Sequence, residues 1–235
     1  MRTSALVSFV VVTAVASVAL AQRSATSAAQ GAGTYQGRTL AEPMSYLGAD
    51  WLERSDRDAE QQPEHVLDVL GVKAGQTVAD VGCGSGYFTV HLARRVGPSG
   101  HVYASDLQPE MLALLRKKVD AERLKNVTAV LAADADAKLP AGVLQLALLV
   151  DVYHELHDPA KTLAQLAEAL APKGRLALVE YRAEDPNVPI KPEHKMTLAQ
   201  IKAELAANGF SFLFSDESLP QQRIVVFAPS RATRE

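Results

Sequence analysis

The residues of this chain that could do chemistry fall, group after group, just past the ends of predicted strands. The first group is Asp80-Val81-Gly82-Cys83-Gly84-Ser85-Gly86. Glycines spaced G-x-G-x-G let the main chain take positive φ and let a ligand approach it with no Cβ in the way. A helix starting after such a turn points its free N–H groups at whatever lies above. That is a nucleotide-type site, although a structural tight turn is the alternative. The spacing also departs from the G-x-G-x-x-G of a dinucleotide fold.

Asp106 follows the next strand, where a carboxylate can accept two hydrogen bonds from ribose hydroxyls, and Leu107 joins it in the expected cofactor set. Its other reading is a helix cap for Gln108-Pro109-Glu110, and the spacing to the glycines favours ribose. After the third strand, Asp134 faces an adenine amino group and the Ala135 amide faces a ring nitrogen; Asp136 competes, and a solvated acidic loop is the alternative. The richest cluster is Asp151-Val152-Tyr153-His154-Glu155-Leu156-His157-Asp158. His154 and Glu155 suit proton transfer, since His titrates near neutral pH and a partly buried Glu is tuned upward. The two histidines are too close for an H-E-x-x-H zinc helix and no third ligand is apparent, so no metal site is expected. His157-Asp158 reads as a helix cap. His194 could close over a substrate, but an exposed loop is the preferred account.

Alternating β and α elements must position these groups. Strands are predicted over 77–82, 101–105, 127–131, 145–151, 174–181, 211–215 and 223–228. Helices are predicted from Pro63 to Gly71 and over 86–96, 108–120, 160–171 and 197–208, with Pro172-Lys173-Gly174 as a helix-to-strand turn. Near-continuous apolar strands such as Leu146-Ala147-Leu148-Leu149-Val150 require a parallel sheet covered on both faces. The last two strands read as an antiparallel hairpin at one edge. Ligands bind beyond the carboxyl ends of such strands, where these groups lie.

The 235 residues, 48% of them apolar, suit one globular domain. A net charge of −3 without Lys/Arg clusters disfavours nucleic acid as a partner. The single cysteine, Cys83, excludes an internal disulfide. Residues 1–21, with Arg2, an apolar run and Ala19-Leu20-Ala21, read as a secretory signal peptide. Export to the periplasm is then expected, with no stable membrane insertion after cleavage; an uncleaved signal would leave the chain cytoplasmic or membrane-anchored. Residues 22–40, rich in Ser, Ala, Gly and Gln, read as a flexible linker. Residues 41–62, with Met44 and the single Trp51, are expected to fold over the site as a lid, and 63–235 form the catalytic domain.

From about Pro63 to Phe227 the sequence resembles the Rossmann-like, class I S-adenosylmethionine-dependent methyltransferases. Their motifs match Asp80 with Gly82, Gly84 and Gly86, then Asp106, then Asp134-Ala135, in order. The resemblance implies a three-layer α/β fold with a seven-stranded, mostly parallel sheet whose last strand is antiparallel. It implies S-adenosyl-L-methionine as cofactor, held by Asp80, Gly82, Cys83, Gly84, Gly86, Asp106, Leu107, Asp134, Ala135 and Asp151. The acceptor would be a small molecule, as in quinone C-methyltransferases, methylated by in-line displacement. Tyr153 and His154 are expected to line the acceptor site, with His154 as base. A nicotinamide-dependent oxidoreductase and a non-catalytic cofactor-binding protein are the rival readings. The glycine spacing and the absence of a Tyr-x-x-x-Lys pair count against the first. The cytosolic supply of the cofactor stands against the export signal.

Overall fold

The computed structural model describes residues 33–230; the expected signal peptide and the first part of the linker lie outside them. The chain opens with a short hairpin, β1 (Thr34–Tyr35) and β2 (Arg38–Thr39), then three short helices, α1 (Ala49–Leu52), α2 (Arg57–Gln61) and α3 (Pro63–Val69). Alternation follows: β3 (Thr77–Val81), α4 (Tyr87–Val96), β4 (His101–Asp106), α5 (Pro109–Ala121), β5 (Val127–Leu131), β6 (Leu144–Val150), α6 (Pro159–Ala169) and β7 (Leu170–Arg182). A two-residue β8 (Lys195–Met196), α7 (Leu198–Ala207), β9 (Phe210–Asp216) and β10 (Gln222–Pro229) complete it. Among the described residues no helix is long and apolar enough to cross a membrane.

The main sheet runs β5-β4-β3-β6-β7-β10-β9, with β8 beside β7. β3 to β7 pair in parallel, and β10 is antiparallel to both its neighbours. The edge hairpin and the antiparallel last strand follow the sequence pattern. Strand order reverses direction at β3, where connections leave to opposite faces and a crevice opens above the strand ends. Each central strand is apolar on both sides. Val78, Leu146, Leu148 and Val179 pack with α3 and α4 on one face, whereas Ala79, Leu149, Leu178 and Phe227 pack with α6 and α7 on the other.

Two local expectations change. Pro172-Lys173-Gly174 is not a turn before β7 but an irregular stretch inside it. Leu170 already pairs with Leu144, and the register shifts before Arg175 meets Leu146. Leu144 and Leu170 are both buried, so burial of that pair starts the strand early.

The second change concerns residues 33–40, which are not a flexible linker. Arg38 is only 9% exposed. Its Nε donates to Glu204 Oε1 at 2.8 Å and its Nη2 to Oε2 at 3.2 Å, while Nη1 donates to the His154 carbonyl at 3.0 Å. The Tyr153 hydroxyl donates to Glu204 Oε2 at 2.9 Å, and the Ala41 amide donates to the His154 carbonyl at 3.1 Å. Composition marks these residues as linker because one arginine, rather than an apolar run, carries the attachment.

Removing one partner of a buried ion pair leaves an uncompensated charge, at a cost of about 3–5 kcal/mol. Arg38→Ala is therefore expected to lower stability by about that amount in urea unfolding, and an Arg38→Met/Glu204→Leu double variant to recover most of it. A loss under about 1 kcal/mol, the range of an exposed pair, would contradict this account.

Candidate active site

A cavity of about 360 Å³ lies above the carboxyl ends of β3, β4, β6 and β7. Its first wall is the glycine turn. Gly82 and Gly84 take φ of +69° and +53°. A Cβ on Gly82 would come within 2.6 Å of Val152 Cγ2, and one on Gly84 within 2.9 Å of Leu52 Cδ1. Gly82 therefore needs glycine for space as well as for φ, whereas at Gly84 φ decides, because the end of the Leu52 side chain can shift. Asp106 stands beside the turn. Its Oδ2 accepts the Gly84 N–H at 2.8 Å and its Oδ1 accepts the Gln108 N–H at 2.8 Å. The capping and the ligand-facing readings of Asp106 are thus compatible, since a carboxylate has about four acceptor sites.

Residues 41–62 cover this wall. Gln108 Oε1 accepts the Tyr46 N–H and its Nε2 donates to the Met44 carbonyl, both at 2.8 Å. Ser85 and Lys118 donate to Glu53. Gln61 Nε2 donates to Asp151 Oδ2 at 2.8 Å, and Gln61 Oε1 accepts from Arg57 Nε at 2.7 Å. Pro43, Met44, Trp51 and Leu52 thereby line the cavity, with Trp51 still 42% exposed at its mouth.

The opposite wall is the tip of β6 and the loop after β7. Asp151 takes φ of +55°, an uncommon conformation that Asp tolerates better than most residues. Burial, followed by the nearby Glu180 charge, lifts its carboxyl to about 7. His154 is 1% exposed and Glu180 is fully buried. His154 Nδ1 lies 2.6 Å from Glu180 Oε2, and Glu180 Oε1 accepts the Tyr153 N–H at 2.9 Å. On the other side of the ring, His154 Nε2 lies 3.1 Å from His194 Nδ1 and 3.7 Å from Glu155 Oε1. Burial alone would depress His154, but the Glu180 and Glu155 carboxylates outweigh it and raise the group to about 10. Burial and the His154 charge push His194 down.

These positions revise the sequence expectations. Gly82, Cys83, Gly84, Asp106, Leu107, Asp151 and His154 line the cavity; Asp80, Gly86, Asp134, Ala135 and Tyr153 do not. Asp80 is buried beneath the turn and accepts a hydrogen bond from Thr89 Oγ1 at 2.5 Å. Gly86 starts α4 against Leu115. The Asp134 side chain is 74% exposed, because reciprocal Ala133–Asp136 backbone bonds close a tight turn with Asp134 and Ala135 at its tip. Tyr153 is wholly buried in the core on the α6 and α7 face, bonded to Glu204. His154 reaches the cavity, where the Glu180 and Glu155 carboxylates favour its protonated form.

Glu180 escaped the sequence reading. A lone acid in the apolar run Leu176–Tyr181 was its signal, since a strand buried on both faces has no ordinary place for a carboxylate. His194, read as an exposed loop residue, lines the cavity.

A methyltransferase-domain family model matches residues 78–174. The ubiquinone/menaquinone biosynthesis C-methyltransferase UbiE of Vibrio vulnificus is 30% identical over 157 residues, covering 65% of this chain and 60% of that protein. An uncharacterized 37.1 kDa protein in transposon TN4556 of Streptomyces fradiae is 32% identical over 161 residues, 68% of this chain and 45% of that one. This chain therefore spans less than two thirds of the length of either relative. A SAM-dependent methyltransferase from Aquifex aeolicus superposes with a TM-score of 0.75 at 28% identity, covering 79% of this chain and 98% of that one.

The chain belongs to the class I S-adenosylmethionine-dependent methyltransferases. The site fits that family's cofactor, S-adenosyl-L-methionine. The glycine turn borders the cavity with main chain, Asp106 retains acceptor capacity beside it, and about 360 Å³ is within the range of roughly 300–1,000 Å³ usual for ligand pockets. Acids at Asp106, Asp151 and Glu155 suit a cationic sulfonium, as do aromatic rings at Trp51 and Tyr181.

Burial lifts Asp80 to about 6, against the pull of the Thr89 hydroxyl. An unfolded Asp titrates near 3.9 (about pH 4), so on raising the pH the unfolded chain releases this proton first and folding stability falls up to about pH 6. Asp80→Asn removes that term. Relative to the parent, the variant should gain up to about 3 kcal/mol between pH 4 and pH 7 in urea unfolding. A difference that stays constant with pH would refute the assignment.

Proposed function

We propose that this chain transfers a methyl group from S-adenosylmethionine to a small, largely apolar acceptor. The observation that carries the reading is a single cavity with two chemically different walls. One wall is main chain and carboxylate, formed by Gly82, Gly84 and Asp106; the other offers Leu156, Pro189, Ile190 and Tyr181 beside a few polar groups. Gly82–Gly84 would hold the cofactor, and Asp106 would accept from its ribose hydroxyls. When bound, the cofactor supplies an electrophilic methyl group on a sulfonium.

What the chain's own residues contribute is mainly alignment and exclusion of water. Proximity and orientation supply about 7–11 kcal/mol in well-positioned reactions. Met44, Trp51 and Leu52 shut one side of the cavity, and Pro189 and Ile190 bound the other. UbiE, a quinone-pathway C-methyltransferase by name, supports an acceptor of that apolar character. The nicotinamide reading loses ground to the G-x-G-x-G spacing and the methyltransferase-domain match.

Titration calorimetry with S-adenosylhomocysteine is expected to give one site per chain, and Gly82→Ala to abolish it. Labelled-methyl profiling of an apolar small-molecule extract is expected to yield a labelled product. Binding without any labelled product would favour the non-catalytic reading, and no binding would end the proposal.

Export belongs to the same proposal, supported by Arg2, the apolar run and Ala19-Leu20-Ala21. The mature protein recovered from the periplasm should begin at Gln22 on N-terminal sequencing; an intact Met1 would count against it.

A further inference from the structure

Three potential ligand atoms converge on the acceptor wall. His154 Nε2, His194 Nδ1 and Glu155 Oε1 form a triangle with edges of 3.1, 3.7 and 3.7 Å. Such a triangle has a circumradius of about 2.0 Å, and zinc binds imidazole nitrogen and carboxylate oxygen at roughly 2.0–2.2 Å. An ion placed at that distance from all three atoms lies close to their plane. We propose that His154, Glu155 and His194 form a binding site for a divalent transition-metal ion.

Three further observations support the site. His154 Nδ1 sits 2.6 Å from the buried Glu180 carboxylate, so it donates there and leaves Nε2 free as the ligand. A carboxylate behind the ligating histidine is the usual outer partner of a metal site, fixing the tautomer and the ring. Glu180 is itself fixed by the Tyr153 amide, which pins the residue before the ligand. The charge balance agrees: Glu155 and Glu180 put two carboxylates in one cluster, and a divalent ion would balance both. Two imidazoles with one carboxylate select zinc or a ferrous-type ion rather than Mg²⁺ or Ca²⁺, which prefer all-oxygen sets.

All three ligands line the cavity, so the ion's open positions face the acceptor. This part rests on the methyl-transfer reading: the ion would bind an acceptor hydroxyl or enol oxygen and favour its ionised form, the proton leaving to solvent, as happens for metal-bound water. The residues come from two segments, 154–155 after β6 and 194 before β8, so no spacing motif announces the set.

The test is Zn²⁺ calorimetry on the untagged, chelator-dialysed protein, with Co²⁺ as a visible-absorption probe and Mg²⁺ as a control. The parent should bind one Zn²⁺ per chain and develop Co²⁺ ligand-field bands. Glu155→Gln and His194→Ala, both at partly exposed rim positions, should keep the parent's circular dichroism and each lose about a hundredfold or more in Zn²⁺ affinity. No Zn²⁺ uptake by the parent, or uptake unchanged in both variants, would overturn the site. S-adenosylhomocysteine titration of the same sample reads the cofactor proposal separately, so either idea can fail without the other.

Discussion

The placement of the Glu180 carboxylate governs the geometry of the site. It is fully buried in a central strand, where an unpaired charge would cost several kcal/mol. That cost is offset only because the Tyr153 amide and the His154 ring both come to it. The irregular stretch after β6 is therefore held at one spot: its backbone is bonded to Glu180 and its first imidazole is locked in orientation. Everything on the acceptor wall, from the turned-in His154 to the reach of His194, depends on that anchor.

A second buried carboxylate repeats the device from below. Glu204 on α7 holds the Tyr153 hydroxyl and Arg38, and Arg38 returns to the His154 carbonyl. The segment 153–154 is thus clamped between two buried acids, one in β7 and one in α7, with the N-terminal hairpin as the third side. Such fully satisfied polar networks rigidify the element they hold. The glycine wall is fixed by different means: close packing of Val152 and Leu52 against main chain that has no Cβ to give way. One wall is shaped by sterics and the other by buried charge.

Much of this was legible from residue order. The apolar runs of β3 to β7 and the helical periodicity between them dictate a doubly covered parallel sheet, and the glycine turn with Asp106 lands where that sheet opens. The start of β7 was misplaced because Pro172-Lys173-Gly174 has turn composition, yet burial of Leu170 against Leu144 extends the strand through it. Asp134 matched a family pattern by spacing, but the Ala133–Asp136 bonds that turn it to solvent depend on a local backbone geometry that spacing does not encode. Tyr153 and His154 are adjacent in sequence and face opposite sides, one into the core and one into the cavity. Only the conformation after β6 decides which goes where.

By itself, then, the sequence determined the elements, their parallel order and the cofactor-side turn, because these follow from local periodicity and from glycine's freedom at particular positions. Tertiary structure alone decided the acceptor wall. His154, Glu155, Glu180, His194, Glu204 and Arg38 are scattered over 167 positions of the chain (38 to 204), and apart from the adjacent His154 and Glu155 none carries a local signal of its partners. Buried charges must find one another across the fold, and the energy that brings them together is a property of the packed interior rather than of any segment within it.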